Sequence, residues 1–181
     1  MRVHTVIDSP IEALTLVATD GALSGLYMEE HLHMPDPATF GRRVDYGFQE
    51  AAGQLGEYFA GQRRRFTLRM RPEGSDFQRR VWRVVAAIPY GQTRTYGQLA
   101  EAVGRPDRIR AVGAANGRNP LAIVVPLPPG GRRRRRPHRV CRWAGPQAVP
   151  ARPGAPLRPT TGATVLRRRP HIRPARDVYQ P

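Results

Sequence analysis

The chain has 181 residues, with 30 basic and 14 acidic side chains and a formal net charge of +16. That length suits one domain of ordinary size or a small domain beside a larger one. No apolar run reaches the roughly 20 residues of a membrane span, and the opening "MRVHTVIDSP" lacks a secretory h-region. A single cysteine excludes an internal disulfide and points to a reducing cytoplasm. Strong basicity normally signals a nucleic-acid partner, but here it is uneven. Residues 1–126 hold 16 Arg against 13 acids, whereas residues 127–181 hold 14 Arg against Asp177 alone. The high pI therefore belongs to the tail. No lysine occurs anywhere, a usage that hints at GC-rich coding sequence.

In chain order, "HTVIDSPIEALTLVATDGALSGLYM" predicts an extended run, a turn at Ser9-Pro10, a second run from Leu14, a hairpin at Asp20-Gly21 and a third run ending near Met28. "HLHMPDPATFGRR" reads as a loop. "YGFQEAAGQLGEYFAG" has helical spacing through Phe48, Leu55 and Phe59, with Gly61 as its stop. "RRRFTLRMRP" alternates Phe66, Leu68 and Met70 with polar residues, mostly arginines, as a half-buried strand would. "SDFQRRVWRVVAAIPYG" opens with a capping box, Ser75 with Gln78, and places Phe77, Val81, Trp82, Val85 and Ile88 on one face before Pro89. "TYGQLAEAVG" repeats the device with Thr95 and Gln98 around Tyr96, Leu99 and Val103, and Gly104 ends that helix. A third helix starts at Asp107, with Ile109 and Val112 turned inward. Two short helices across a Gly-containing turn suggest a helix-turn-helix, with a plain helical bundle as the alternative. "LAIVVP" reads as an apolar strand. From Leu127 onward there are 11 prolines and no phenylalanine. Such a segment cannot bury enough surface to offset chain entropy and is expected to be disordered.

The stretch "GSDFQRRVWRVVAAIPYGQTRTYGQLAEAVGRPDRIRAVGAANGRNPLAIVVP" resembles the O6-alkylguanine-DNA alkyltransferases, the methylated-DNA–protein-cysteine methyltransferases, over residues 74–126. "IDSPIEALTLVATDGALSGLYM" is similar to that family's small N-terminal domain. The resemblance implies an α+β fold: a small N-terminal α/β domain with antiparallel strands over residues 1–72, a helix-turn-helix, winged-helix-like DNA-binding domain over 73–126, and an Arg/Pro-rich tail over 127–181. It implies transfer of a methyl or alkyl group from O6-alkylguanine (or O4-alkylthymine) in double-stranded DNA to a protein cysteine. It implies no cofactor, a monomer and no membrane partner. The five histidines are scattered and offer no metal set.

In the family, the segment matching "LAIVVP" leads into a Pro-Cys-His-Arg motif whose cysteine takes the alkyl group. Here Pro126 is present, but Leu127 follows it, and no Cys-His comes after. A thiolate displaces an alkyl group from oxygen; an isobutyl side chain cannot. The family's histidine and glutamate, which help ionise a thiol of pKa about 8.5, also fall beyond residue 126 and are missing. The genetic code offers an explanation. If each true codon begins at the second base of the written one, Leu127 permits Cys, Pro128 His, Pro129 Arg, and Gly130 and Gly131 each Val. Arginines 132–135 permit Gly, Ala, Asp, Gly, and residues 138–142 permit Thr, Gly, Tyr, Ala, Gly. Trp143 forces Gly, and residues 144–152 permit Leu-Asp-Arg-Lys-Arg-Phe-Leu-Leu-Asp. The hidden string resembles the family's active-site motif, pocket loop and final helix. It points to a one-base frameshift near codon 127, and reads the arginine run as coding sequence out of phase rather than a nuclear-localisation or RNA-binding element.

What the resemblance leaves in place is the DNA-handling half. Tyr96 matches a tyrosine that crowds the target phosphate and promotes nucleotide rotation; read alone, it is a core tyrosine of an amphipathic helix. Arg110 matches the arginine that enters the duplex where guanine leaves, or it is a solvated helix charge. The small residues Ala111, Gly113, Ala114 and Ala115 suit a helix lying in the minor groove, or close helix packing. Asn119 matches a hinge asparagine that ties together the turns beside the nucleophile, or it is an Asn-Pro helix stop. Arg79, Arg80, Arg94 and Arg118 are candidate phosphate contacts. Cys141, in "PHRVCRW", lies too far along the chain to serve as the nucleophile. The competing reading is a non-catalytic alkyltransferase-like lesion binder, and a third is a basic nucleic-acid-binding tail.

Overall fold

The computed structural model describes residues 1–29, 31, 33–89 and 91–125, together with the backbone of 140–142. The three extended runs form strands β1 (Arg2–Ile7), β2 (Leu14–Thr19) and β3 (Ala22–Met28). β1 and β2 pair antiparallel from Arg2 opposite Thr19 to Ile7 opposite Leu14, and β2 and β3 pair antiparallel through the Asp20-Gly21 turn. Both turn residues have positive φ, 51° and 71°, as a two-residue hairpin matching the strand twist requires. A two-residue strand β4 (Arg42–Arg43) joins β1 in parallel, giving the order β3-β2-β1-β4.

The segment expected to be a loop is partly structured. Asp36 caps a 3-10 turn over Pro37–Phe40, its carboxylate accepting from the Ala38 N–H at 3.0 Å, with Pro37 preset for the first position. The turn delivers Phe40 onto Tyr27, stacked with ring centroids 5.4 Å apart, and with Val17 these rings close one face of the sheet. Helix α1 (Gln49–Phe59) belongs to the other face, its Ala51 and Leu55 in one core with Ile7, Leu14 and Leu16. Gly61 follows with φ 75°, where the sequence predicts the stop.

"RRRFTLRMRP" does not become a strand. Of its alternating apolar residues, Leu68 is buried, Phe66 half-buried and Met70 38% exposed. Its single bridge joins Met70 to Leu23. The reason lies in the outer edge of β3. Leu23 bonds the 69–71 segment there, its N–H to Arg69 O and its carbonyl from Arg71 N–H, both at 2.8 Å. Three residues on, Leu26 bonds the 120–122 segment, its N–H to Pro120 O at 2.7 Å and its carbonyl from Ala122 N–H at 3.2 Å. Two segments share one short edge, so neither extends into a ladder.

The second half is helical. α2 (Asp76–Ala86) starts in the expected reciprocal capping box: Ser75 N–H donates to Gln78 Oε1 at 2.8 Å and Gln78 N–H to Ser75 Oγ at 3.3 Å. β5 (Thr93–Thr95) leads into α3 (Tyr96–Ala102), capped in the same way by Thr95 and Gln98 at 2.9 and 3.1 Å. After Gly104, at φ 77°, comes a 3-10 turn over Pro106–Arg108 and then α4 (Ile109–Gly117). The third helix thus begins two residues later than expected, with Asp107 in the tighter turn. Val112 is fully buried as expected, but Ile109 is not: it is 47% exposed. The buried stripe of α4 is Val112, Ala115 and Asn116, and Ile109 sits on its shoulder, a turn before the stripe begins.

Val81, Trp82, Val85, Leu99 and Val112 belong to the same buried cluster as the sheet core. The Trp82 Nε1–H donates to Ala115 O at 2.8 Å, fastening α2 to α4. Three residues of the tail, β6 (Val140–Arg142), pair antiparallel with β5, Thr93 opposite Arg142 and Thr95 opposite Val140. The expectation of disorder therefore fails at these three positions, because a ladder needs main-chain groups only and their composition does not forbid it. The β5–β6 arm leads into α3 and gives this half a winged-helix-like outline. The rest of 127–181, with Pro126, lies outside the described residues. No helix among the described residues is long and apolar enough to cross a membrane.

Candidate nucleic-acid interface

Two groups of residues build the site: a clamp after α4, and the outward surface of α4 with the start of α3. The clamp is Asn119, whose side chain is fully buried. Its Nδ2 donates to Val125 O at 2.9 Å and to Leu121 O at 3.5 Å, while its Oδ1 accepts from Leu121 N–H at 3.0 Å. Val124 N–H bonds Ala122 O at 2.7 Å and Val125 N–H bonds Leu121 O at 2.9 Å. Ile123 is drawn to φ 69°, a left-handed conformation that a β-branched residue rarely adopts. "LAIVVP", expected as a strand, is thus a compact turn with one bridge, Leu26 to Leu121. The Asn119 amide takes up backbone groups that a neighbouring strand would otherwise satisfy. The turn hands the chain on to Pro126 and Leu127, which fall outside the described residues.

On α4, Arg110 and Ala114 are exposed, and Ala111 and Gly113 are half-buried. Arg105 and Arg108 both engage Asp107, at 3.3 and 3.6 Å. The hydrogen bond from Arg105, with the charges of both guanidinium groups behind it, holds the Asp107 carboxyl below the usual carboxylate range. Arg110 has no ion pair among the described residues, so its charge remains available to an anionic partner. Tyr96, at 8% exposure, is held at the first position of α3 by the Thr95 cap. A methyl group on Gly113 would lie 3.6 Å from Tyr96 Cε2, so the glycine brings the ring close against α4. An exposed guanidinium on a helix whose neighbouring side chains are small suits close approach to a nucleic-acid groove.

The structure thus exposes Arg110 and Ala114 on α4, sets half-buried Gly113 against the Tyr96 ring of the core, leaves Ala111 half-buried, and buries Asn119 beyond the helix as the clamp. Arg79 is engaged with Asp76 and the Gly74 carbonyl, whereas Arg80, Arg94 and Arg118 are exposed. Cys141 stands opposite Arg94 in the β5–β6 register, fourteen positions past Leu127 and in the arm rather than at the clamp. Among the described residues, no group of three or more His, Cys, Asp or Glu can hold a metal ion. Sequence reasoning missed two residues here. Asn116 is fully buried on the inward stripe of α4, where a polar residue contradicts apolar periodicity. Ile109 was assigned to the core but faces out.

Residues 76–127 match the family profile described as "6-O-methylguanine DNA methyltransferase, DNA binding domain", and residues 2–72 match "6-O-methylguanine DNA methyltransferase, ribonuclease-like domain". The chain belongs to the 6-O-methylguanine DNA methyltransferase family. A methylated-DNA–protein-cysteine methyltransferase of Mycolicibacterium paratuberculosis is 47% identical over 123 residues, 68% of this chain and 74% of the relative. The Methanosarcina barkeri protein of the same name is 41% identical over 124 residues, 68% of this chain and 78% of that one. The crystal structure of Mycobacterium tuberculosis OGT in complex with DNA superposes with a TM-score of 0.63 at 44% identity, covering 68% of this chain and 75% of that one. The family's DNA-binding profile thus takes in both the clamp and the α4 surface and stops at Leu127.

Proposed function

We propose that this chain derives from a DNA repair protein that reverses O6-alkylguanine damage by moving the alkyl group onto its own cysteine. The observation that carries this is the Asn119 clamp. It turns the chain sharply after α4 and ties the Val125 carbonyl back to Asn119, two residues past the end of the helix bearing Arg110. In the proposed reaction, α4 lies in the minor groove, Arg110 fills the gap left by the extruded guanine, and Tyr96 crowds the phosphate. A thiolate at the position following Pro126 attacks the alkyl carbon. The C–O6 bond breaks, a C–S bond forms, and guanine leaves with a proton supplied to its ring.

Leu127 cannot perform that displacement. The chain as written keeps the DNA-handling half and lacks the nucleophile, and the out-of-phase reading of residues 127–152 restores Cys-His-Arg at the required place. Because Tyr96, Arg110 and Asn119 all fall within the stretch that matches the DNA-binding profile, lesion binding without transfer is the second reading. A monomer working on double-stranded DNA in the cytoplasm, without a cofactor, completes the proposal.

The test is incubation with duplex DNA carrying fluorescent O6-benzylguanine, followed by denaturing electrophoresis. The 181-residue chain should carry no covalent label, and its frame-restored counterpart should take up one label per molecule. Labelling of the chain as written, or none of the restored one, refutes the proposal.

A further inference from the structure

Among the described residues, four large apolar side chains are exposed: Met1, Tyr46, Met70 and Ile109. Met1 is the terminus, Tyr46 sits in a loop, and Met70 lies at the divided sheet edge. Ile109 alone stands on α4, directly before Arg110 and one turn before Gly113. Its own fold leaves it 47% exposed, although Arg105, Arg108 and Arg110 surround it in the chain. Its Cδ1 lies 4.0 Å from the point where a Gly97 Cβ would stand, so the side chain leans over the first turn of α3. Gly113, a helical turn further on along the same shoulder, meets the Tyr96 ring. Ile109 and Gly113 thus share the shoulder of α4 that faces Gly97 and Tyr96 of α3, and Arg110 follows Ile109 directly in the helix.

We propose that Ile109 is an apolar DNA-contacting residue that lies against the deoxyribose and base edges of the minor groove, beside the point where Arg110 enters. The inference rests on the reading of α4 as the DNA-facing helix and adds a second, chemically different contact to it. The occupant is duplex DNA because three arginines against the one carboxylate of Asp107 flank Ile109 in the chain and favour a polyanion, while the groove walls offer apolar sugar faces to a branched side chain. Apolar wedges beside basic residues are a recurring device of minor-groove proteins. The two contacts differ in their dependence on salt. Arg110 displaces counterions, so its share of affinity falls as salt rises; the share of Ile109 does not.

The experiment uses the full 181-residue chain and a duplex carrying O6-methylguanine with 2-aminopurine as the adjacent base. Anisotropy gives the dissociation constant across a range of NaCl, and 2-aminopurine fluorescence reports local unstacking, which contacts from the tail do not produce. Ile109→Ala should weaken binding about fivefold at every salt concentration with an unchanged slope, matching partial burial of one aliphatic side chain. Its fluorescence rise should shrink, and Ile109→Leu should restore both. Arg110→Ala should lower the slope by about one. If Ile109→Ala binds and unstacks like the parent while Arg110→Ala is impaired, the Ile109 proposal fails and the DNA reading stands. If the parent gives no fluorescence rise and Arg110→Ala changes nothing, the DNA reading itself fails.

Discussion

At the scale of single residues, Asn119 does more than end a helix. "RNP" makes Asn119 legible as a stop, because an Asn-Pro pair cannot continue an α-helix. The clamp was not legible from the residues alone, since its acceptors, the carbonyls of Leu121 and Val125, meet the amide only after the chain has turned back on itself. Replacing Asn119 with Ala leaves the Leu121 N–H and the Val125 carbonyl buried without their partner. An unsatisfied buried group costs about 1–3 kcal/mol, so the loss expected for Asn119→Ala is about 2–4 kcal/mol. Urea denaturation of the parent and the variant measures it; a change below about 0.5 kcal/mol, the range of neutral surface substitutions, would show that the clamp is dispensable. Ile109 teaches the opposite lesson. Spacing from Val112 placed it inward, but the 3-10 turn over Pro106–Arg108 resets the helix start and rotates it out.

At the scale of elements, what was legible was local. Both capping boxes lie within four consecutive residues, and both form as read. The hairpin at Asp20-Gly21 needs only its own two residues to take positive φ. "RRRFTLRMRP" and "LAIVVP" failed as strands because their fate turns on which of them takes the outer edge of β3, a contest between residues about 50 positions apart in the chain. The same logic sets the worth of the α3 cap. α3 has seven residues, too few to hold itself in water, and Tyr96 is its first. Thr95→Ala removes the acceptor for Gln98 N–H, 3.1 Å away. It should cost about 1 kcal/mol, within the 0.5–2 kcal/mol range for such caps. The loosened first turn should also blunt the 2-aminopurine signal through Tyr96, and Thr95→Ser should keep both stability and signal. Thermal melting beside the fluorescence assay decides it, and a variant that melts and unstacks like the parent would remove the cap from the site.

At the scale of the whole molecule, two sources of positive charge compete for the same polyanion. Residues 1–126 hold Arg and acid in near balance, and of the three cations of the α4 region, Arg105 and Arg108 share the carboxylate of Asp107 while Arg110 has no ion pair among the described residues. Residues 127–181 carry 14 Arg against one acid. Each phosphate neutralised contributes roughly 0.9 to the slope of log affinity against log salt, so the tail is expected to set most of the salt dependence of binding to any DNA, whatever its sequence or damage. Deleting residues 127–181 should therefore flatten that slope by several units and weaken binding to undamaged duplex most at low salt. The α4 surface and the Asn119 clamp lie entirely before the cut, so the 2-aminopurine response to an O6-methylguanine duplex should persist, above the melting loss that follows from removing the β6 partner of β5. Anisotropy across a salt series on both chains makes the comparison. An unchanged slope would mean that the tail arginines do not reach the phosphates, and a slope and response that vanish together would place all DNA binding in the tail, leaving Arg110 a solvated helix charge.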